Sequence, residues 1–367
     1  VTRLPASKAA HYQKRAAQLL KGRPAFVTGA DGFVGSHVVD ALAAAGAKVY
    51  AFIRATSSGG LHNLDHIAHR IEIVKGNLED RHSIYSALRI LEDEKQKPII
   101  LHLGAQAHVG DSWKRPYDTM LSNAIGTLNL LQSIVDLGLD IYKFDAAGTS
   151  EEYGNVDDDF REQHSQDDAG HLVLHERSPI NPKSIYATSK LATDFLTMNY
   201  YDAYGLPGVV TRMFNNYGPR QNPTYITGTV ITQALERPKV ALGNLATMRD
   251  FCYISDGVRG HLDTTLFGHP GEVYCYGYGQ NISIRDWAKL ILRIGERAGY
   301  WKGRQIISSK ARFRPGKSDV ERLKVGYDKL NALTGWEPRV SWEEGIRLTI
   351  AWYAEHPEKW RDRIDWS

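Results

Sequence analysis

The sequence predicts an α/β protein: a doubly wound parallel sheet covered by helices on both faces, with a smaller C-terminal α/β lobe for substrate. Three observations carry this reading. Apolar strand-like runs alternate with amphipathic helix-like runs from Ala25 to Met213; three glycines sit at the first strand-to-helix junction; and beyond Tyr217 the alternation loosens while Pro, Gly and aromatic residues increase.

Residues 1–21 carry Arg3, Lys8, Lys14, Arg15 and Lys21 with no acid, and place Ala9, Tyr12, Ala16 and Leu19 at helical spacing. This predicts a helical extension packed on the body of the protein, since it runs almost directly into the first strand. Acid-poor basic helices are also the pattern of organelle transit peptides. Strands are expected at 25–28, 48–53, 71–74, 99–103, 141–145 and 208–213, and helices at 35–45, 83–92, 119–137 and 182–204. Residues 22–214 form the dinucleotide-binding domain, with a return near 252–280. Residues 215–251 and 281–367 form the substrate lobe. The polar stretch 155–176 reads as an exposed insertion, and the Trp-rich end (Trp342, Trp352, Trp360, Trp366) as a cap on a core.

With 367 residues, 42% hydrophobic and 24% charged, the chain can bury a full-sized core in roughly two domains. Its 45 Lys and Arg are interspersed with 42 Asp and Glu, a net of +3 that offers no basic face to nucleic acid or membrane. The expected partner is a small molecule. Cys252 and Cys275 are too few for a disulfide framework or a four-cysteine metal site, which fits a reducing cytoplasm. No metal is expected, and no apolar run of about 18 residues spans a bilayer.

Residues 26–35, Phe-Val-Thr-Gly-Ala-Asp-Gly-Phe-Val-Gly, place Gly29, Gly32 and Gly35 between a strand and a helix. Glycine lets the backbone turn tightly against a pyrophosphate, which then sits on the free N–H groups of the helix. Asp31, Phe33 and Val34 lie on the same turn. The spacing G-x-x-G-x-x-G differs from the G-x-G-x-x-G dinucleotide fingerprint. The second strand ends in Arg54-Ala55-Thr56-Ser57-Ser58, where a carboxylate would select a free ribose; a guanidinium with adjacent hydroxyls favours the 2′-phosphate of NADP over NAD.

Tyr186 and Lys190, four residues apart, share one helix face. An ammonium beside a phenol, whose ordinary pKa is ~10, favours phenolate, so Tyr186 is expected to accept a proton during alcohol oxidation. The preceding strand carries Thr149, placed by the sheet's carboxyl edge to orient a substrate hydroxyl. Glu151, two residues on, shares that side and brings a carboxylate. Its neighbour Glu152 reads as an exposed turn acid.

Taken together, Gly29-x-x-Gly32-x-x-Gly35, Leu103-Gly104-Ala105-Gln106-Ala107-His108-Val109, Thr149-Ser150-Glu151-x-Tyr153-Gly154, Tyr186-x-x-x-Lys190 and Arg212-Met213-Phe214-Asn215-Asn216-Tyr217-Gly218-Pro219-Arg220 resemble the extended short-chain dehydrogenases acting on nucleotide sugars. The resemblance runs from about Lys21 to Tyr353 in the expected order. It implies a Rossmann-type fold, a homodimer pairing the helices at 119–137 and 182–204, and Leu103, Ala105, Gln106, Phe214, Tyr186 and Lys190 at the cofactor. Asn77 and Leu78 match the adenine-contacting segment, with Asn77 where Asp is common.

Within that family, Thr149-Ser150-Glu151 is similar to the triplet of GDP-mannose 4,6-dehydratases and of uronate decarboxylases, whereas simple 4-epimerases usually have a small residue for Glu. The segment 242–251, Leu-Gly-Asn-Leu-Ala-Thr-Met-Arg-Asp-Phe, resembles the dehydratases further. The segment 225–230 lacks the basic pair of the GDP-mannose enzymes, which leaves the base open. The resemblance implies a nucleoside-diphosphate-hexose 4,6-dehydratase. Tyr186, with Lys190 and Thr149, takes the 4-hydroxyl proton as hydride leaves C4; Glu151 then takes the C5 proton and, with Ser150, helps the 6-hydroxyl leave; hydride returns to C6. Acting as base and then acid, Glu151 needs a pKa near working pH, which burial is expected to supply. Arg249 and Arg314 are the candidates for the diphosphate, with Asn215 and His108 near the sugar. The rivals are UDP-glucuronate decarboxylation, 4-epimerisation, and a cofactor-binding regulator without catalysis.

Overall fold

Whole strands are buried along their length, including every residue of β1 (Pro24–Thr28), so the sheet is covered on both faces. The computed structural model describes residues 6–55, 63–155, 165–166, 172–316 and 319–364. In the first half, α1 (Ala6–Leu20) precedes β1, then α2 (Phe33–Ala44), β2 (Lys48–Arg54), β3 (Glu72–Gly76), α3 (Arg81–Leu88) and β4 (Ile99–His102). Next come α4 (Val109–Lys114), α5 (Pro116–Met120), α6 (Gly126–Asp136) and β5 (Lys143–Thr149). The short strands β6 (Ser165–Gln166) and β7 (Leu172–Val173) pair antiparallel, ahead of α7 (Ile185–Tyr204) and β8 (Gly208–Met213).

The remainder comprises β9 (Asn215–Tyr217), α8 (Ile226–Glu236), β10 (Lys239–Leu242), β11 (Met248–Arg249), β12 (Phe251–Tyr253), α9 (Ile254–Phe267) and β13 (Glu272–Tyr276). It ends with β14 (Ile282–Ser283), α10 (Ile284–Arg297), β15 (Gln305–Ser308), α11 (Asp328–Thr334) and α12 (Trp342–Glu355).

Seven strands form one parallel sheet in the order β13-β8-β5-β4-β1-β2-β3. The order reverses between β1 and β4, and ligands of such sheets bind outside the carboxyl ends at that switch point. Side chains alternate across the sheet. Phe26, Tyr50, Phe52, Ile100 and Phe144 pack on one side with Ile84, Leu130, Ile134 and Tyr200 of α3, α6 and α7. Ala25, Val27, Val49, Ala51 and Leu101 pack on the other with Val38 and Leu42 of α2 and Ile254 and Val258 of α9. That second cluster continues through Val230, Trp287, Ile346, Tyr353 and Trp360, so sheet and C-terminal lobe share one core.

Two departures from the sequence reading bear on the site. The fifth strand starts and ends later than 141–145 and carries Thr149 as its last residue. The helix expected over 119–137 is interrupted by a π-helical turn, Leu121–Ile125, that turns Asn123 inward. Helix α1 packs on α9, with Tyr12 edge-on to Phe267 at 5.1 Å. Trp360 is buried, and Trp342 Nε1 donates to Phe251 O at 2.8 Å, so both belong to the core; Trp366 lies outside the described residues. Most of the expected insertion at 155–176 lies outside them as well.

Candidate active site

The glycine turn is built for close backbone approach. Gly29 has φ +63°, and a Cβ there would come within 2.7 Å of Gly104 Cα. One on Gly35 would come within 2.1 Å of Gly29 O. Gly32 is the N-cap of α2 and supplies no side-chain cap, so the first N–H groups of the helix remain available to an anion. Thr28 Oγ1 accepts from Gly104 N at 3.0 Å and meets His102 Nδ1 at 2.8 Å, tying the ends of β1 and β4 together at the switch point. This cradle fits the pyrophosphate of a nicotinamide dinucleotide. Asp31, Phe33 and Val34 line the turn, and Asp31 O accepts from Asn63 at 3.0 Å.

Arg54 closes β2, largely exposed, with Glu79 3.8 Å away. The partner hydroxyls expected of Thr56 and Ser57 lie outside the described residues. Asn77 Oδ1 accepts from Glu79 N at 3.2 Å and so caps its own turn. Leu78 stands over Gly104, where an added Cβ would meet it at 2.8 Å. Leu103 packs on the core, and the loop after it, including Ala105, is partly exposed. Asn123 was not anticipated from sequence. It accepts Gln106 N at 2.7 Å and donates to Gln106 O at 3.0 Å and Ser189 Oγ at 2.9 Å, fastening the cofactor loop to α7.

Thr149, Ser150 and Glu151 lie where β5 gives way to a single 3-10 turn, all buried. Ser184 caps α7 by accepting Ala187 N at 3.1 Å and starts the helix one residue ahead of Tyr186. Thr149 lies beside the Tyr186 phenol, where its side chain favours the ionised form. The expected acidification of Tyr186 is not found. Burial, then Tyr225, Glu152 and Glu151, push its pKa well up, against the pull of Thr149. Lys190 is itself buried, which lowers its pKa, and it faces Asp194, Glu152 and Asp145. In this state the chain alone therefore holds a neutral phenol.

Glu151 also departs from expectation. Burial would raise its pKa, but Arg314 and then Arg249 overcome that and hold it below the usual carboxylate range. Arg314 Nη1 and Nη2 donate to Glu151 Oε2 and Oε1 at 3.0 and 3.2 Å. Arg249 Nη2 is 4.0 Å from Oε1, while its Nη1 is fixed by Met248 O at 2.9 Å and Val320 O at 2.7 Å. Asp319 lies 3.7 Å from each arginine. Both proposed diphosphate ligands thus converge on the proposed base.

The remaining residues divide. Asn215 Oδ1 is buried without a hydrogen-bond partner, as suits a ligand contact. His108 caps α4 by accepting Asp111 N at 3.2 Å, and its ring meets Tyr225 edge-on at 5.6 Å, which brings it toward Tyr186. Phe214, expected at the cofactor, has its ring buried among Tyr153, Leu174, Cys275 and Val325. Glu152 corrects the sequence reading, being fully buried. Among the described residues no cluster of His, Cys, Asp or Glu is placed to hold a metal, and no helix is long and apolar enough to cross a membrane.

Known proteins match this chain along most of its length. Residues 26–349 match the family model described as GDP-mannose 4,6 dehydratase. The dTDP-D-glucose 4,6-dehydratase of Mus musculus is 28% identical over 342 residues, 92% of this chain and 90% of that protein. DesIV of Streptomyces venezuelae, a dTDP-glucose 4,6-dehydratase solved with NAD and TYD bound, superposes with a TM-score of 0.78 at 27% identity, covering 93% of this chain and 100% of that one. The UDP-glucose 4-epimerase of Thermotoga maritima gives 0.77 at 29% identity, covering 91% and 99%. The chain therefore belongs to the GDP-mannose 4,6 dehydratase family, NAD(P)-dependent sugar-nucleotide dehydratases and epimerases of the short-chain dehydrogenase/reductase superfamily.

Proposed function

We propose that this protein is a nucleoside-diphosphate-hexose 4,6-dehydratase that forms a 4-keto-6-deoxy sugar. One observation carries the reading: a carboxylate, Glu151, is buried beside the Tyr186 phenol and its Thr149 partner. A 4-epimerase has no use for a base there, whereas elimination across C5 and C6 requires one. The dinucleotide, when bound, supplies a reversible hydride acceptor for C4 and a donor for C6.

The chain's own residues do the rest. Thr149 orients the 4-hydroxyl, and Tyr186, which must first lose its own proton to solvent in the loaded site with Lys190 beneath to balance the phenolate, takes the 4-hydroxyl proton. The resulting 4-ketone acidifies the C5–H bond, and Glu151 removes that proton. Glu151 then protonates the leaving 6-hydroxyl, with Ser150 alongside, and as hydride reaches C6 a proton drawn from solvent completes C5. The grip of Arg314 blocks this until a diphosphate arrives. A diphosphate offers two strong acceptors to a guanidinium, so substrate binding draws Arg314 off Glu151, and burial then raises the carboxyl toward the working range. Arg249, pinned by two carbonyls, is the second anchor we assign to the diphosphate.

Against the NADP that Arg54 leads the sequence reading to expect, NAD is the form we favour. Glu79 beside Arg54 opposes a 2′-phosphate, and DesIV was solved with NAD bound. A homodimer is favoured by apolar side chains exposed on neighbouring helices: Tyr117 on α5, Leu121 and Ile125 on the π-helical turn, and Phe195 on α7. The test is incubation with dTDP-, UDP- and GDP-hexoses and a trace of NAD, followed by product mass. Loss of water supports dehydration. Loss of carbon dioxide from a uronate, an unchanged mass with a new stereoisomer, or no turnover would each reject it.

A further inference from the structure

Glu152 has no part in the chemistry above, yet it is completely buried beneath it. Its Oε1 accepts the backbone N–H of Thr149 at 2.8 Å. Its Oε2 lies 2.7 Å from Arg212 Nε, whose N–H is directed to Asp194 Oδ2 at 2.8 Å. Two oxygens in this closed space lack a hydrogen-bond partner, Glu152 Oε2 and Asp194 Oδ1, and the two carboxyl groups meet at the same nitrogen, Arg212 Nε, at 2.7 and 2.8 Å. Gly148 makes the room. A Cβ there would come within 2.8 Å of Arg212 Cγ and 3.1 Å of Asp194 Oδ1.

Two unsatisfied acceptors side by side in a buried site are reconciled by one proton. We propose that Glu152 is a positioning residue that works as a neutral carboxylic acid, sharing its proton with Asp194 while it clamps Thr149, and through Thr149 the Tyr186 phenol. Every packed element contributes to its surroundings. Helix α7 supplies Tyr186, Lys190 and Asp194, β8 supplies Arg212, the turn itself supplies Glu151 and Tyr153, and β13 supplies Cys275. Asp145, the next carboxylate, is taken up by Thr211 at 2.6 Å, Thr265 at 3.1 Å and His261 at 2.9 Å. Burial and Asp194 push Glu152 well above the carboxylate range, against Arg212. With Glu152 neutral, Arg212 is matched by Asp194, and the Lys190 charge is left for the Tyr186 phenolate.

The inference rests on the alcohol oxidation of the reading above, a step shared by dehydratase, decarboxylase and epimerase, and so does not depend on elimination. It is tested by infrared spectra of wild type and Glu152→Gln at neutral pH, with turnover of Glu152→Gln and Glu152→Met. Wild type should show a protonated-carboxyl band that the Gln variant lacks. Glu152→Met should lose about 10- to 100-fold in kcat from misplaced Thr149, with KM and dinucleotide affinity unchanged. Gln, which keeps the acceptor for Thr149, should rescue most of that loss. Absence of the band, or a Gln variant as impaired as Met, overturns the proposal. The band is read without substrate and decides the matter even if Glu152→Met fails to fold or no sugar nucleotide is dehydrated.

Discussion

Arg314, from the substrate lobe, holds both oxygens of Glu151, from the end of a sheet strand, at 3.0 and 3.2 Å. In the proposed elimination this carboxylate must be free, and the proposed competitor for Arg314 is the diphosphate of the substrate. In the free enzyme Glu151 is ionised, with its pKa depressed. When Arg314 leaves, burial dominates and the pKa rises, so binding takes up a proton.

This proton uptake is measurable. Calorimetry of nucleoside-diphosphate binding near pH 6, in buffers of differing ionisation heat, should show net uptake by wild type and none by Glu151→Gln. Replacing Arg314 with Gln should raise KM about 10- to 100-fold, the loss of a charge-assisted hydrogen-bonded pair, and should also abolish the uptake. Binding without uptake in wild type would contradict the exchange.

The phenol is the second point of attack. Tyr186→Phe keeps the ring and its packing but removes the proton acceptor, and should cost about 10²- to 10⁴-fold in kcat with thermal stability close to wild type. Residual turnover within a factor of about ten, below the range for general base catalysis, would move the base elsewhere.

Much of this is legible in the sequence, and the reason is local. The glycine turn, Thr149 and the Tyr186-Lys190 interval are set by neighbours along the chain, so strand ends and helical periodicity locate them. What escapes is set by distant contacts. Glu152 looks like a surface acid until Arg212 and Asp194, 60 and 42 residues away, enclose it. The depressed Glu151 and the protonated Tyr186 follow from burial and from charges on another lobe, which no spacing reveals.

His102 offers a test of the floor of the cofactor site. It lies buried between Thr28 Oγ1 at 2.8 Å and Thr127 Oγ1 at 3.0 Å, and burial, with a smaller push from Lys190, lowers its pKa to about 3. The unfolded chain takes up this proton near pH 6.5, whereas the folded state refuses it, so the histidine costs stability as pH falls. Relative to His102→Asn, wild type should lose about 1.4 kcal/mol per pH unit below 6.5, read by urea unfolding at pH 7, 6 and 5. The comparison with the variant cancels Asp250, whose pKa burial raises to about 7 and whose effect has the opposite sign. A constant difference between the two proteins would show that His102 titrates normally.

The exposed apolar side chains make a prediction about assembly. Phe195→Glu with Ile125→Glu places two charges on α7 and the π-helical turn, and should convert a sedimenting dimer to a monomer without loss of dinucleotide binding. A wild type that sediments as a monomer at micromolar concentration would refute the role assigned to these side chains.

Elimination driven by Glu151 from a transient 4-ketone leaves an isotopic record. The decisive experiment is to turn over the accepted nucleoside-diphosphate hexose in deuterium oxide and analyse the product by mass and NMR. Wild type should give a product lighter by one water, with a C6 methyl and solvent deuterium at C5, and Glu151→Gln should give no such product. A wild-type product of unchanged mass without deuterium at C5, or full dehydration by Glu151→Gln, would contradict the role of Glu151.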